Sequence, residues 1–273
     1  MSSSDERNAH DDFGSSRSKK QVINFNRLER DLSTKTVSTF SDFAQVPKQP
    51  AQERGIFITL EGGEGVGKST QIVHLLRKLH EAGIPAIGTR EPGGSPSAEI
   101  LRQVLLSGKV AELGPTAEAI IFAAARANHI DETIKPALAS GTYVISDRFA
   151  DSTLAYQGAR GDIDLRFLRA LERVTLDGLR PDLTVILDLP VSEGLARAAA
   201  RRDSGTAPDR FEREDLPFHE ALRAAYLTIA TADPQRCLVI DARASETEVA
   251  ETIFAAIVER FLAPALSETS GHG

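Results

Sequence analysis

The sequence predicts an α/β fold built on a parallel sheet with helices on both faces, and three observations carry that expectation. The apolar run Ile56-Phe57-Ile58-Thr59-Leu60 leads into Gly62-Gly63-Glu64-Gly65-Val66-Gly67-Lys68-Ser69, the G-x-x-x-x-G-K-[ST] phosphate-binding pattern in its strand-to-helix setting. Short apolar runs and helical patterns then alternate to the end of the chain, as in parallel sheets joined by helices. The 273 residues, 41% of them hydrophobic, suffice for one sizeable core.

The elements follow in order. After the first strand and the glycine loop, Ile72, Leu75, Leu76 and Leu79 fall at helical spacing, and Gly83 stops that helix. A short strand is expected from Pro85 to Thr89 and a helix from Ser97 to Ser107. One or two helices punctuated by Pro136 follow from Thr116 to Ala139, then a strand from Thr142 to Ser146. Leu165 to Leu176 reads as helix, Leu183 to Leu187 as a buried strand, and Glu193 to Arg202 and Leu216 to Ala232 as helices. Leu238 to Ile240 reads as the fifth strand and Glu246 to Leu262 as the closing helix. The first fifty or so residues are Ser-rich and mixed in charge, without sustained period, and read as a disordered extension with a short helix possible around Phe25 to Leu32.

Composition narrows the function classes. No apolar run reaches the twenty residues that span a bilayer, so a soluble protein is expected. A net charge of −7 argues against a main task of gripping a nucleic-acid backbone. The single cysteine, Cys237, excludes an intramolecular disulfide, sits in an apolar run that favours a buried thiol over a nucleophile, and fits a reducing cytoplasm. Asp5, Glu6, Asp11 and Asp12 are out of place in a mitochondrial presequence.

In parallel α/β sheets ligands bind beyond the carboxyl ends of the strands. That rule gathers Glu61 to Ser69, Arg90-Glu91-Pro92, Asp147-Arg148-Phe149 and Asp188 around one expected cleft. Glycine N–H groups and the helix N-terminus would face phosphate oxygens, Lys68 would supply a point charge, and Ser69 a hydroxyl for Mg²⁺. Arg102, Arg126 and Arg148 lie on elements leading to the same place. Guanidinium forks bind phosphate in pairs and stay protonated, so the set favours an acceptor that already carries a phosphate. A nucleoside hydroxyl would call instead for a carboxylate base. For Arg102 and Arg126 a surface charge or a salt bridge is the competing account. Phe122 shares a helix face with Arg126 and suits either base stacking or plain core packing.

Several motifs then agree in order with one family. Leu60 to Thr70, Thr89-Arg90-Glu91-Pro92-Gly93-Gly94, Phe122-Ala123-Ala124-Ala125-Arg126, Asp147-Arg148-Phe149, Ala155-Tyr156-Gln157-Gly158, Arg180-Pro181-Asp182-Leu183-Thr184 and the basic segment Arg201-Arg202 through Asp209-Arg210-Phe211 resemble those of thymidylate kinases. The resemblance runs from about Gly55 to the final helix. It implies a three-layer P-loop nucleoside monophosphate kinase fold over residues 54–265, with a lid at about 202–213, an extension at 1–53 and a flexible tail at 266–273. It implies transfer of the ATP γ-phosphoryl group to dTMP with Mg²⁺, in a cytoplasmic enzyme that commonly forms a homodimer.

Roles implied by the resemblance fall on matching residues. Gly62, Gly63, Glu64, Gly65, Val66, Gly67, Lys68, Ser69 and Thr70 would form the ATP loop. Lys68, Arg148, Arg201 and Asp147 would be catalytic, with Ser69 and Asp147 in the Mg²⁺ shell. On the acceptor side, Arg102, Arg126 and Arg148 would hold or orient dTMP, Phe122 would stack on thymine, and Glu64 would reach the deoxyribose 3′-hydroxyl. Thr153, Tyr156 and Gln157 would line the base pocket, with Glu91 near the acceptor. This chain has Gly65 where some members carry a basic residue, which resembles the type that places an arginine in the lid; Arg201 is the candidate, with Arg202 and Arg210 as alternatives. The stretch Asp203 to Pro208 is longer than in shorter-lidded relatives. The rival readings are a thymidine kinase and a P-loop ATPase switch.

Overall fold

The structure, a computed structural model, describes residues 54–201, 211 and 213–263. The extension, the tail, most of the lid, Arg202 and Arg210 lie outside the described residues, as does the possible helix around Phe25.

The expected parallel sheet is present. Its strands are β1 (Phe57–Glu61), β2 (Ala86–Arg90), β3 (Tyr143–Asp147), β4 (Leu183–Asp188) and β5 (Cys237–Asp241), in the order β2-β3-β1-β4-β5. All neighbouring pairs are parallel, and β1 is buried along its whole length between β3 and β4. Every strand ends on a charged residue beyond the expected apolar run: Glu61, Arg90, Asp147, Asp188 and Asp241. The backbone ladder continues where hydrophobicity stops, carrying those polar side chains to the rim on rigid backbone. The tie extends past the strands too, since the Arg148 N–H donates to Leu60 O at 3.0 Å and the Glu91 N–H to Asp147 O at 2.9 Å.

The helices are α1 (Lys68–Glu81), α2 (Pro96–Leu106), α3 (Pro115–His129), the short α4 (Lys135–Ala139), α5 (Ala150–Arg160), α6 (Leu165–Leu176), α7 (Val191–Ala200), α8 (Leu216–Ala232) and α9 (Glu246–Ile257). The break expected at Pro136 takes the form of a wider π turn, Ile130–Ile134, between α3 and α4. Proline has no N–H to return to the preceding turn, and the looser turn absorbs the mismatch. Helix α7 begins at Val191 and ends at Ala200, two residues earlier at each end than the apolar pattern suggests.

Helix α5 was missed by the periodicity because its inward face is polar: Asp151, Ser152, Tyr156 and Gln157 are buried beside Ala150 and Ala155. Arg236 pins its first turn, donating to Asp151 Oδ2 at 2.6 Å and to Thr184 Oγ1 at 2.6 Å. Arg160 in its last turn pairs with Glu118 of α3 at 3.7 Å and with Glu214 just before α8.

Among the described residues, apolar packing on the sheet includes the following clusters. Phe57, Val144 and Phe149 pack with Ile130, Ile134, Leu138 and Leu176; Ile186 and Cys237 pack with Tyr156, Phe218, Leu222 and Tyr226. Phe57 and Phe149 meet edge to face at 4.8 Å. Cys237 is a buried strand thiol, as expected, and burial pushes its pKa up to about 11, far from nucleophilic use.

Candidate active site

The phosphate loop joins β1 to α1 in the conformation its glycines allow. Gly62, Gly65 and Gly67 have φ of 132°, 72° and 98°. A side chain at Gly65 would overlap Gly194 O of α7 at 1.8 Å, so loop and helix lock backbone to backbone. The Lys68 ammonium is buried and donates to Gly63 O at 2.8 Å and Gly62 O at 3.1 Å. Burial, and next Arg148, lower its pKa to about 8. Ser69 Oγ donates to Asp147 Oδ2 at 2.8 Å, bringing two hard oxygen donors together at the base of the loop.

Arg148 follows β3 with φ 72°, a left-handed conformation unusual for a side-chain-bearing residue. Its guanidinium donates to Glu64 Oε1 at 2.7 Å, Gly62 O at 3.0 Å, Tyr226 OH at 3.1 Å and Ser152 Oγ at 3.3 Å. It also lies 5.1 Å from the Tyr156 ring centroid. Tyr156 OH donates to the same Glu64 oxygen at 2.6 Å. Burial alone would raise the Glu64 pKa, but Arg148, Lys68 and the Tyr156 hydroxyl together hold it at about 2.

On the β2 side a second buried ion pair forms. Arg126 Nε donates to Glu91 Oε2 at 2.7 Å, and its Nη2 reaches Thr153 Oγ1 at 2.9 Å and Phe149 O at 3.1 Å. His129 Nδ1 lies 3.1 Å from Glu91 Oε1, and its Nε2 lies 2.7 Å from Thr89 Oγ1. Burial works to raise the Glu91 carboxyl, yet Arg126 and His129 hold it below its usual range. Glu91 therefore holds Arg126 while itself lining the cleft. Arg126 thus makes a salt bridge and also lines the cleft. Arg102 donates to Pro92 O at 2.6 Å and fastens the 91–95 loop.

These groups surround one cleft of about 230 Å³. It is lined by the loop from Glu64 to Ser69, by Glu91, Arg102, Phe122 and Arg126, by Asp147, Arg148, Thr153, Tyr156 and Gln157, and by Arg201 at the end of α7. Phe122 thus lies on the cleft wall, where its ring stands 6.5 Å from that of Phe211, itself 5.2 Å from Tyr156. Gln157 is 3% exposed, and its side-chain carbonyl has no hydrogen-bond partner among the described residues.

Some expectations are corrected. Asp188 does not join this cleft: Arg223 takes it at 2.7 and 2.9 Å, and it lines a separate hollow behind the loop. Gly62 and Gly63 also border that hollow, and Thr70 lines neither space. Glu61, also gathered to the cleft by the strand-end rule, does not line it but lies buried behind it, and Ser152, Tyr226 and His129, which had no sequence-derived role, surround the site. Their signal was faint, because a polar residue inside an otherwise apolar element looks like any other exception. The closing charge of β1, Glu61, is nonetheless fully buried, and burial, followed by Asp151, pushes its pKa up to about 7 against Ser152, Arg148 and the Phe149 amide.

The family model for thymidylate kinase matches residues 60–253. The thymidylate kinase of Nitrobacter hamburgensis is 59% identical over 209 residues, 77% of this chain and 90% of that protein. That of Bradyrhizobium diazoefficiens is 54% identical over 214 residues, 78% of this chain and 93% of that protein. The crystal structure of thymidylate kinase from Ehrlichia chaffeensis matches with a TM-score of 0.59 and 31% identity, covering 74% of this chain and 98% of that one. Motif, fold, cleft and relatives agree, and the chain belongs to the thymidylate kinase family.

Proposed function

We infer that this chain phosphorylates dTMP to dTDP, with ATP as phosphoryl donor, as an enzyme of nucleotide biosynthesis. The observation that carries the reading is the convergence of Lys68 with Arg102, Arg126 and Arg148 on one cleft whose wall holds Phe122. A single nucleotide needs no such second set of cations; two anionic nucleotides set end to end do.

The chemistry is an in-line displacement: an oxygen of the dTMP phosphate forms a bond to the γ-phosphorus as the bond to the β-bridging oxygen breaks. A phosphate oxygen is already nucleophilic near neutral pH, so no strong base is required and positioning with charge stabilisation supplies the acceleration. The loop N–H groups of Gly65 to Ser69 cradle the donor phosphates, and Lys68 turns its charge from the loop carbonyls to the transferring group. Arg148 sets the acceptor phosphate in line. Arg126, with its plane fixed by Glu91 and Thr153, and Gln157 face the base, Phe122 stacks on it, and Glu64 with Tyr156 meets the sugar. Arg201, at the cleft rim where the lid begins, meets charge developing on the γ-phosphoryl group.

Ser69 and Asp147 would hold Mg²⁺, which when bound offsets charge on the donor phosphates. Among the described residues no three His, Cys, Asp or Glu side chains gather as a metal cage, and a magnesium ion bound largely through phosphates does not require one. A homodimer is supported by exposed apolar residues on the adjoining α2, α3 and α6, among them Ile100 at 64% and Val174 at 77% exposure. A cytoplasmic setting accords with the single thiol. No helix among the described residues is long and apolar enough to cross a membrane.

The test is ADP release by purified protein with ATP and magnesium, using dTMP, thymidine, dUMP and dGMP as separate acceptors. Turnover with dTMP well above the others is expected. Turnover with thymidine but not dTMP would mean a nucleoside kinase, and acceptor-independent hydrolysis a switch ATPase. Light scattering on the eluting protein reads the dimer.

A further inference from the structure

We propose that Glu61 is a positioning residue for Arg148: its carboxylate dictates which way the Ser152 and Tyr226 hydroxyls point, and those hydroxyls in turn seat the guanidinium. The inference rests on the functional reading above, in which Arg148 sets the acceptor phosphate.

Glu61 is 0% exposed, so neither nucleotide can touch it and any influence must pass through its neighbours. One oxygen accepts the Phe149 N–H at 2.7 Å. The other accepts from Ser152 Oγ at 2.6 Å and Tyr226 OH at 3.2 Å, and the two hydroxyls lie 2.8 Å apart. Both hydroxyl oxygens also face Arg148 Nη1, at 3.3 and 3.1 Å.

Proton counting makes the arrangement directional. A guanidinium only donates, so both hydroxyls must turn lone pairs toward it. Each has one proton left to place. Ser152 gives its proton to Glu61, and Tyr226 gives its own to Glu61 or to Ser152. An ionised carboxylate, which only accepts, completes the set without conflict. A donor at the same position would aim protons at oxygens already approached by Nη1 and leave at least one of the two hydroxyl protons without an acceptor in the set.

The carboxylate acts on the backbone as well. Arg148 has φ 72°, and the amides on either side of it are held from β1: its own N–H by Leu60 O, the next by Glu61. A left-handed residue persists where its surroundings over-determine it. Glu61 supplies part of that constraint and so fixes both where the Arg148 side chain starts and where it ends.

The test is a double-mutant cycle at pH 8, above the value near 7 to which burial raises this carboxyl. Glu61→Gln keeps the shape and replaces one acceptor by a donor. It is expected to lower kcat/KM for dTMP on the order of 10²-fold, the scale of a roughly 1 Å misplacement, while KM for ATP stays within about threefold. In an Arg148→Ala background the same change should add less than about threefold, since the group it acts through is gone. A structural role alone would multiply the two effects. Should Glu61→Gln fail to fold, Ser152→Ala and Tyr226→Phe run the same cycle against Arg148→Ala. Wild-type-like Glu61→Gln, or multiplicative losses in any of these cycles, overturns the inference alone; wild-type protein that leaves dTMP unconverted overturns the functional reading beneath it.

Discussion

The interlock between Gly65 and Gly194 gives a graded prediction, because three glycines of one loop differ in what a methyl group would meet. At Gly65 an added Cβ lies 1.8 Å from Gly194 O and 3.1 Å from Ala198 N, with φ +72°. At Gly67 φ is +98° but nothing lies within 4 Å, and at Gly63 nothing lies within 4 Å and φ is not positive. Gly67→Ala therefore carries only the left-handed penalty, about 1–2 kcal/mol. Gly65→Ala adds an overlap with backbone that cannot rotate away, worth about 1–3 kcal/mol more, for a total of roughly 2–5 kcal/mol. Gly63→Ala stays within about 0.5 kcal/mol of wild type. At about 2–4 °C per kcal/mol for a domain of this size, the Gly65 variant should melt roughly 4–20 °C early. Circular dichroism follows the transition without needing tryptophan, which this chain lacks. Activity of the same variant falls on the order of 10²-fold as the loop N–H groups shift against the phosphates. If Gly65→Ala melts with wild type, or Gly63→Ala falls as far, the locking argument fails.

Three further outcomes follow from the site. With its pKa lowered to about 8, Lys68 is charged below that value, so kcat/KM for ATP should decline above pH 8 along a one-proton limb; a flat profile to pH 9.5 would contradict it. Glu64 is held at about 2 against a usual 4.5, so its stabilising share is complete above pH 4.5 and lost as pH falls toward 2. Accordingly Glu64→Gln should cost about 3 kcal/mol at pH 7 and progressively less below pH 4.5, read by urea denaturation at several pH values; a pH-independent loss would refute the electrostatic account. Arg201→Ala should depress kcat at least 10²-fold with KM for dTMP little changed, and a pure KM effect would make it a binding residue.

How much of this was legible depended on the kind of signal. The phosphate loop announces itself, because glycine spacing and the Lys-Ser pair are local requirements of the backbone and do not depend on the rest of the chain. The strands were legible by apolar runs, and the rule that ligands gather beyond strand ends picked out Glu61 and Asp147, but not that the ladder runs on through them or that Glu61 is fully buried. Helix α5 was illegible to periodicity since it buries Asp151, Ser152, Tyr156 and Gln157, although family motifs had marked Tyr156 and Gln157. Asp188 obeyed the strand-end rule in sequence but found Arg223 in space, which no spacing rule reveals. The pairing of Glu91 with Arg126 also needed geometry: the two lie 35 residues apart in sequence, and only the fold brings them into one buried contact.

The two arginines that staple α5 make it a lever. Arg236 fixes one end to β4 through Thr184, and Arg160 ties the other to α3 and to Glu214, immediately before α8. The helix that carries Thr153, Tyr156 and Gln157 of the cleft wall and the stretch leading into α8 thus share a single guanidinium. Loosening Arg160 slackens both at once, so substitutions along that wall and substitutions just before α8 will constrain each other through that side chain.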